Sequence, residues 1–264
     1  MNLIIENTRA LLKLIKFSLI ISVYMISALI KYCLIQDPIK RRRSLIQNTQ
    51  FFSQLMLKAY NIKLICKNPI EANENSLVIG NHMGFIDIVC LQTIQASAFI
   101  TSTEMKSTPV LGQIAILGAV VFVNRNNRSN IQDELKDIIL VLKQGFRVVL
   151  YAEARASNGE QVLPFKKTLM TAAAFADVPI RPYIFNYRKI NNREIKFSDR
   201  DSLCWYDDNG FVSAIWKSLK IKQLECEIEF LPLVKTKPED DRTVVSEKIH
   251  LMISEKFIPF NPPF

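Results

Sequence analysis

Glycine is scarce in this chain, with 7 in 264 residues, and little is left over for phosphate-cradling loops. There is no G-x-x-x-x-G-K-[ST] loop and no G-x-G-x-x-G turn, so P-loop and dinucleotide-binding chemistry have no support. A G-x-S-x-G elbow is also missing, which leaves a serine hydrolase of that design unsupported. The 5 cysteines (Cys33, Cys66, Cys90, Cys204 and Cys226) are scattered, with no C-x-x-C. An odd, unpatterned set argues for a reducing compartment and against a metal site. Neither zinc-finger spacing nor the aromatic-and-glycine signature of a single-strand RNA reader occurs, so no nucleic-acid partner is expected. A full-length uncharged apolar run is lacking too. The longest, Phe17–Ile30 between Lys16 and Lys31, is shorter than the ~20 residues a membrane span needs. A basic run follows it rather than a small-residue cleavage site, so a secretory signal is not expected.

What remains is a chain that is 49% hydrophobic, enough to bury one full core. Lys and Arg outnumber Asp and Glu by 34 to 25, a formal charge of +9, which suits an anionic membrane surface. Residues 1–36 are expected to be a hydrophobic membrane anchor, either one tilted span or a helix lying partly in the bilayer, and residues 37–264 the main domain. Asp37-Pro38 breaks the helix, and Lys40-Arg41-Arg42-Arg43 follows. Such a cluster beside an apolar helix attracts anionic headgroups at about 1 kcal/mol per charge and places the main domain on the cytoplasmic face. The expected location is therefore a membrane, the inner one in a bacterium. Residues 44–60 have amphipathic helical spacing, with Leu45, Phe52, Leu55 and Met56 inward.

From residue 76 onward strand and helix signals alternate. Strands are expected at 77–79, 98–100, 120–123, 148–151, 180–186 and 225–231. Helices are expected from Phe85, from Thr108 with Pro109 in the first turn and Gly118 past the end, from Ser129 to Gly145, and over 166–177, 212–219 and 243–256. The pattern implies an α/β fold, a mostly parallel sheet flanked by helices, with the N-terminal apolar segment as a membrane-associated addition. His250, on the polar side of the last helix, is expected to be exposed and inert.

The chemistry concentrates in residues 76–92, SLVIGNHMGFIDIVCLQ. Leu77-Val78-Ile79 ends at Gly80, His82 falls in the strand-to-helix turn, and Asp87 lies in the first turn of the helix. Sheet ends of this kind carry the sites of α/β proteins. A helix N-terminus disfavours imidazolium, and an Asp five residues on can fold back, bind one ring nitrogen and set the tautomer. The product is an oriented general base for a hydroxyl. The same spacing also suits a capping turn with His82 as a surface residue, and spacing alone leaves both open.

N-H-M-G-F-I-D resembles the first signature block of the glycerolipid acyltransferases, of the 1-acylglycerol-3-phosphate and lysophospholipid acyltransferase type. G-A-V-V-F-V-N-R (118–125) resembles the second block, A-E-A-R-A-S-N-G with V-L-P-F-K (152–166) the third, and V-P-I-R-P (178–182) the fourth. The resemblance spans about residues 40–235. It implies transfer of a fatty acyl group from acyl-CoA or acyl carrier protein, as co-substrate, to the hydroxyl of lysophosphatidic acid, with no metal and no further cofactor. In these terms His82 is the base and Asp87 its orienter, and Arg125, Glu153, Arg155 and Lys166 are substrate-binding residues. The usual Glu-Gly-Thr-Arg is Glu153-Ala154-Arg155-Ala156 here, with the Arg one place early. Glu153 is equally expected to be an acceptor for nearby backbone. Cys204-Trp205-Tyr206-Asp207-Asp208 with Phe211 and Trp216 resembles a feature of bacterial lyso-ornithine-lipid acyltransferases, which makes lyso-ornithine lipid an alternative acceptor. A rival of another class is a non-catalytic membrane-binding protein with the same fold.

Overall fold

The computed structural model describes residues 2–124, 131–206 and 211–260. Its strands, in chain order, are β1 (Ile62–Lys67), β2 (Leu77–Gly80), β3 (Ala98–Ser102) and β4 (Val121–Val123), then β5 (Val148–Leu150), β6 (Ile180–Ile190), β7 (Arg193–Glu194) and β8 (Leu224–Phe230). They form one sheet in the order β1-β8-β6-β2-β5-β3-β4, with β7 paired to β6. The ladders are parallel except where β6 meets β8 and β7. The helices are α1 (Asn2–Leu34), α2 (Pro38–Tyr60), α3 (Phe85–Ile94), α4 (Leu111–Leu117), α5 (Ile131–Lys143), α6 (Ala172–Ala176), α7 (Arg200–Leu203), α8 (Phe211–Leu219) and α9 (Arg242–Ser254).

The continuous apolar run of β2 is buried on both sides, as a central parallel strand requires. Leu77 and Ile79 join Ile138, Leu142 and Ile249 of α5 and α9 in one core, while Val78 packs with Ile86, Cys90 and Leu91 of α3 in the other. That split follows from the two-residue period of a strand. Because β2 lies between β5 and β6, with Ile79 opposite Leu150 and Gly80 opposite Tyr183, the carboxyl ends of three strands share one edge.

α1 is docked along the domain by a single face. Ala10, Tyr24 and Ala28 are buried, and the Lys13 amino group reaches inward to donate to the carbonyls of Tyr60 at 2.7 Å and Ile221 at 2.6 Å. The opposite face exposes Ile4, Leu11, Leu12, Leu19, Ile26 and Leu29. By length and composition α1 is able to cross a membrane. It ends before Asp37, whose side chain caps α2 by accepting from the Lys40 amide at 2.7 Å. The basic run after it leans partly on the protein, with Arg42 and Arg43 near the Phe146 ring at 5.9 and 5.8 Å.

Three local expectations need correction, and one strand falls outside the expected set. That strand is β1, where Lys63 and Lys67 interrupt the apolar run. It is a half-exposed edge strand, where lysines are at home. The helix expected from Thr108 begins at Leu111, since Val110 takes a positive φ of 67° with ψ −51° in a tight turn that the Leu111 amide closes on the Pro109 carbonyl at 2.8 Å. Over 166–177 only a short turn at Leu169–Thr171 and α6 are helical. Upstream the chain is tied to the segment after β5, with the Lys166 amide donating to the Ala152 carbonyl at 2.7 Å. Finally, His250 is half-buried, with Nε2 3.2 Å from the Val162 carbonyl and the ring edge-on to Phe165.

Candidate active site

His82 and Asp87 meet as the spacing allows. Nδ1 lies 3.1 Å from both carboxylate oxygens, and with Nδ1 so engaged, Nε2 is the nitrogen left for a substrate. Asp87 is 0% exposed. Its Oδ2 accepts the backbone N–H groups of Met83 at 2.6 Å and Gly84 at 2.9 Å, so one carboxylate both caps the helix and orients the ring. The His82 side chain is 16% exposed.

The third block closes on this turn from β5. Tyr151, the residue after that strand, stacks on the His82 ring with centroids 4.0 Å apart and planes at 21°. Its hydroxyl donates to Asp87 Oδ1 at 3.1 Å. Glu153, 3% exposed, accepts the His82 amide on Oε1 at 2.7 Å and the Leu163 amide on Oε2 at 2.9 Å. Burial pushes the Glu153 carboxyl up to about 7, against the pull of those two amides. Both oxygens are committed to backbone, which is the structural role foreseen for Glu153 as an alternative to substrate contact. The Ser157 amide adds a bond to the His82 carbonyl at 2.8 Å. From the C-terminal side, the Trp205 amide donates to the Met83 carbonyl at 2.8 Å, so the Cys204-Trp205 segment forms a wall of the turn.

The remaining expected residues are less closely gathered. Arg155 is exposed. Lys166 is exposed and lines an open groove of about 710 Å³ with Phe165, Lys167, Thr243, Ser246 and His250, a groove to which His82 and Asp87 do not contribute. Arg125 lies outside the described residues. Asn124, just before it, follows β4 at the same sheet edge as His82 but beyond β5 and β3. Among the described residues no three His, Cys, Asp or Glu side chains converge as metal ligands would.

Tyr151 and Tyr183 escaped sequence reasoning. The apolar run marks a strand over 148–151 but does not show what the Tyr151 side chain touches, and the strand itself ends at Leu150. Tyr183 sits against Gly80 so closely that a Cβ there would lie 2.3 Å from its ring. Gly80 is thus required for close approach, a signal visible only as a lone glycine at a strand end.

Residues 61–186 match the family model described as Acyltransferase. The chain is 29% identical over 213 residues, 80% of each sequence, to the 1-acyl-sn-glycerol-3-phosphate acyltransferase of Neisseria meningitidis serogroup B. It is 26% identical over 203 residues, 74% of this chain and 76% of the relative, to the lyso-ornithine lipid O-acyltransferase of Brucella abortus. The fold matches the crystal structure of the 1-acyl-sn-glycerophosphate (LPA) acyltransferase PlsC from Thermotoga maritima, with a TM-score of 0.68 at 19% identity, over 99% of this chain and 100% of that one. The four ordered blocks, the sheet that brings the first and third together and these matches agree that residues 61–186 carry an acyltransferase domain, of the kind found in these O-acyltransferases.

Proposed function

We propose that this acyltransferase moves a fatty acyl group from an acyl thioester, on coenzyme A or acyl carrier protein, to the free hydroxyl of lysophosphatidic acid, giving phosphatidic acid. The observation that carries the chemistry is the His82 imidazole held at Nδ1 by the buried Asp87 carboxylate. His82 Nε2 takes the proton of the acceptor hydroxyl as its oxygen attacks the thioester carbonyl carbon. Asp87 steadies the imidazolium that forms. The tetrahedral intermediate then collapses, the carbon–sulfur bond breaks and the thiolate leaves with the proton returned by the ring. No covalent acyl-enzyme is required. Arg125, with Arg155 or Lys166, would hold the acceptor phosphate by charge-assisted hydrogen bonds.

The docked α1 supports work at a membrane surface. Its outward apolar face would enter the cytoplasmic leaflet, the nearby basic run would meet anionic headgroups, and the acceptor would be drawn from the bilayer. A second acceptor, lyso-ornithine lipid, is favoured by one observation: the Cys204-Trp205 segment abuts the His82 turn, where it could shape the acceptor site. The deciding experiment incubates purified protein with labelled acyl-CoA or acyl carrier protein and a panel of lysolipids. Product from lysophosphatidate supports the conclusion. Robust transfer to lyso-ornithine lipid with none to lysophosphatidate would replace it.

A further inference from the structure

The Asp87 carboxylate has more acceptor capacity than the His82 turn uses. Oδ2 takes two backbone amides and both oxygens face Nδ1, which leaves Oδ1, in a fully buried site, sharing one ring N–H with Oδ2 and lacking a donor of its own. A buried carboxylate oxygen left without one costs free energy. The Tyr151 hydroxyl fills that place at 3.1 Å, while the same ring covers the imidazole at 4.0 Å. A phenylalanine would supply the stack without the hydroxyl. We propose that Tyr151 is a positioning residue for the His82–Asp87 pair: its ring fixes the imidazole plane, and its hydroxyl both aims Asp87 and withdraws part of the carboxylate's negative charge. The consequence for rate rests on the acyl-transfer reading above, whereas the contacts with His82 and Asp87 do not.

The fold holds Tyr151 in this place. Parallel pairing of Ile79 with Leu150 brings the residue after β5 level with Gly80. Tyr183, packed on bare Gly80, backs it from β6. Burial, reinforced by the Asp87 charge, pushes the Tyr151 hydroxyl well above its ordinary value, so it stays a donor throughout the working range of pH. The other titratable groups around Asp87 are Glu153 at the end of β5, Tyr183 and Tyr187 of β6, Cys90 of α3, Cys204 after α7 and Cys226 of β8. Burial keeps the tyrosines, Cys204 and Cys226 neutral, and Glu153 is common to every variant compared below.

The test compares Tyr151→Phe, which keeps the ring, with Tyr151→Leu, which loses ring and hydroxyl together. With 2 histidines in the chain, the Nδ1–H proton of His82 can be followed by NMR in the full-length protein, independently of turnover. In Tyr151→Phe the carboxylate recovers its full charge and pulls harder on that proton. Its resonance should move downfield, and the acidic limb of the kcat/KM profile should move to higher pH, because a more charged partner holds imidazolium longer. Plateau kcat should fall about three- to tenfold, the loss expected of one hydrogen bond, and Tyr151→Leu should be at least about tenfold worse again, as expected when the reacting ring is no longer held in place. Site-specific 3-fluorotyrosine at 151, a stronger donor of nearly the same shape, should move the resonance and the limb the opposite way. An unmoved resonance in both Tyr151→Phe and the fluorotyrosine protein would overturn the proposal. So would a Tyr151→Leu enzyme as active as Tyr151→Phe. If the wild type transfers no acyl group to any acceptor, the acyl-transfer reading falls and the resonance alone decides the positioning role.

Discussion

The backbone N–H of His82 donates to Glu153 Oε1 at 2.7 Å, joining residues 71 positions apart. Through its other oxygen Glu153 also holds Leu163, so one buried side chain fastens the first signature block to the third. Because its carboxyl is raised to about 7 from an ordinary 4.5, its contribution to stability is fully present below about pH 4.5 and is lost as pH rises through 7. Melting temperature should therefore fall over that interval by more than the remaining groups explain. Glu153→Gln should flatten this dependence while lowering stability at acidic pH, since its NH2 must face one of two amide donors. A wild-type melting temperature with no such fall would contradict the assignment.

His82→Ala should reduce acyl transfer by at least about a hundredfold with thermal stability and vesicle binding nearly unchanged. Asp87→Asn is the more discriminating change. Its carbonyl oxygen can still serve the Met83 and Gly84 amides, which turns the NH2 towards Nδ1 and puts the ring proton on Nε2, where the base is needed. Loss of the same order should follow. Near-normal turnover in either well-folded variant would dismiss the mechanism.

Gly80→Ala would drive a Cβ to within 2.3 Å of the Tyr183 ring. Overpacking of this kind costs about 1–3 kcal/mol, readable by urea denaturation. Trimming the obstacle in Gly80→Ala/Tyr183→Leu should recover part of the loss made by the first change. A double variant no better than the sum of the two single ones would show that the clash is relieved elsewhere.

The two faces of α1 should separate in experiment. Leu12→Glu, Leu19→Glu and Ile26→Glu, on the outward face, should weaken sedimentation with anionic vesicles and leave melting temperature alone. Lys13→Met, on the inward face, strands two buried carbonyls and should cost about 1–3 kcal/mol of stability with less effect on vesicle binding. Full-length protein that is soluble without detergent and ignores vesicles would refute the membrane role.

Arg125→Ala should raise KM for lysophosphatidate roughly thirty- to a hundredfold, the cost of one charge-assisted bidentate contact, with much less effect on the acyl donor. Lysine there should recover only part, since it restores charge without the fork. If Arg155 shares the phosphate, Arg155→Ala will behave likewise. A silent Arg155→Ala would remove it from the site.

The His82–Asp87 contact was legible in the sequence because it is local. Both residues sit within one strand-to-helix turn, so a spacing of five lets the carboxylate reach back to Nδ1 and the free amides of the helix start, though by itself it leaves a plain capping turn equally open. The alternation of apolar runs with 3.6-residue patterns marks most of the elements, since a buried element's period is written in its own residues, but not β1, where two lysines interrupt it. Tertiary structure decided the rest. Parallel strands are joined by long crossovers, so their order in the sheet, and with it the meeting of Tyr151 and Glu153 with His82, depends on how helices pack across both faces. The helix expected over 166–177 is shortened by the same kind of long-range contact, with the Lys166 amide held by the Ala152 carbonyl just past β5 and helix beginning at Leu169. Lys13 shows the limit most clearly: in the sequence it is a charge interrupting an apolar helix, and only the packing of that helix on its own domain turns it inward, where two distant carbonyls satisfy it.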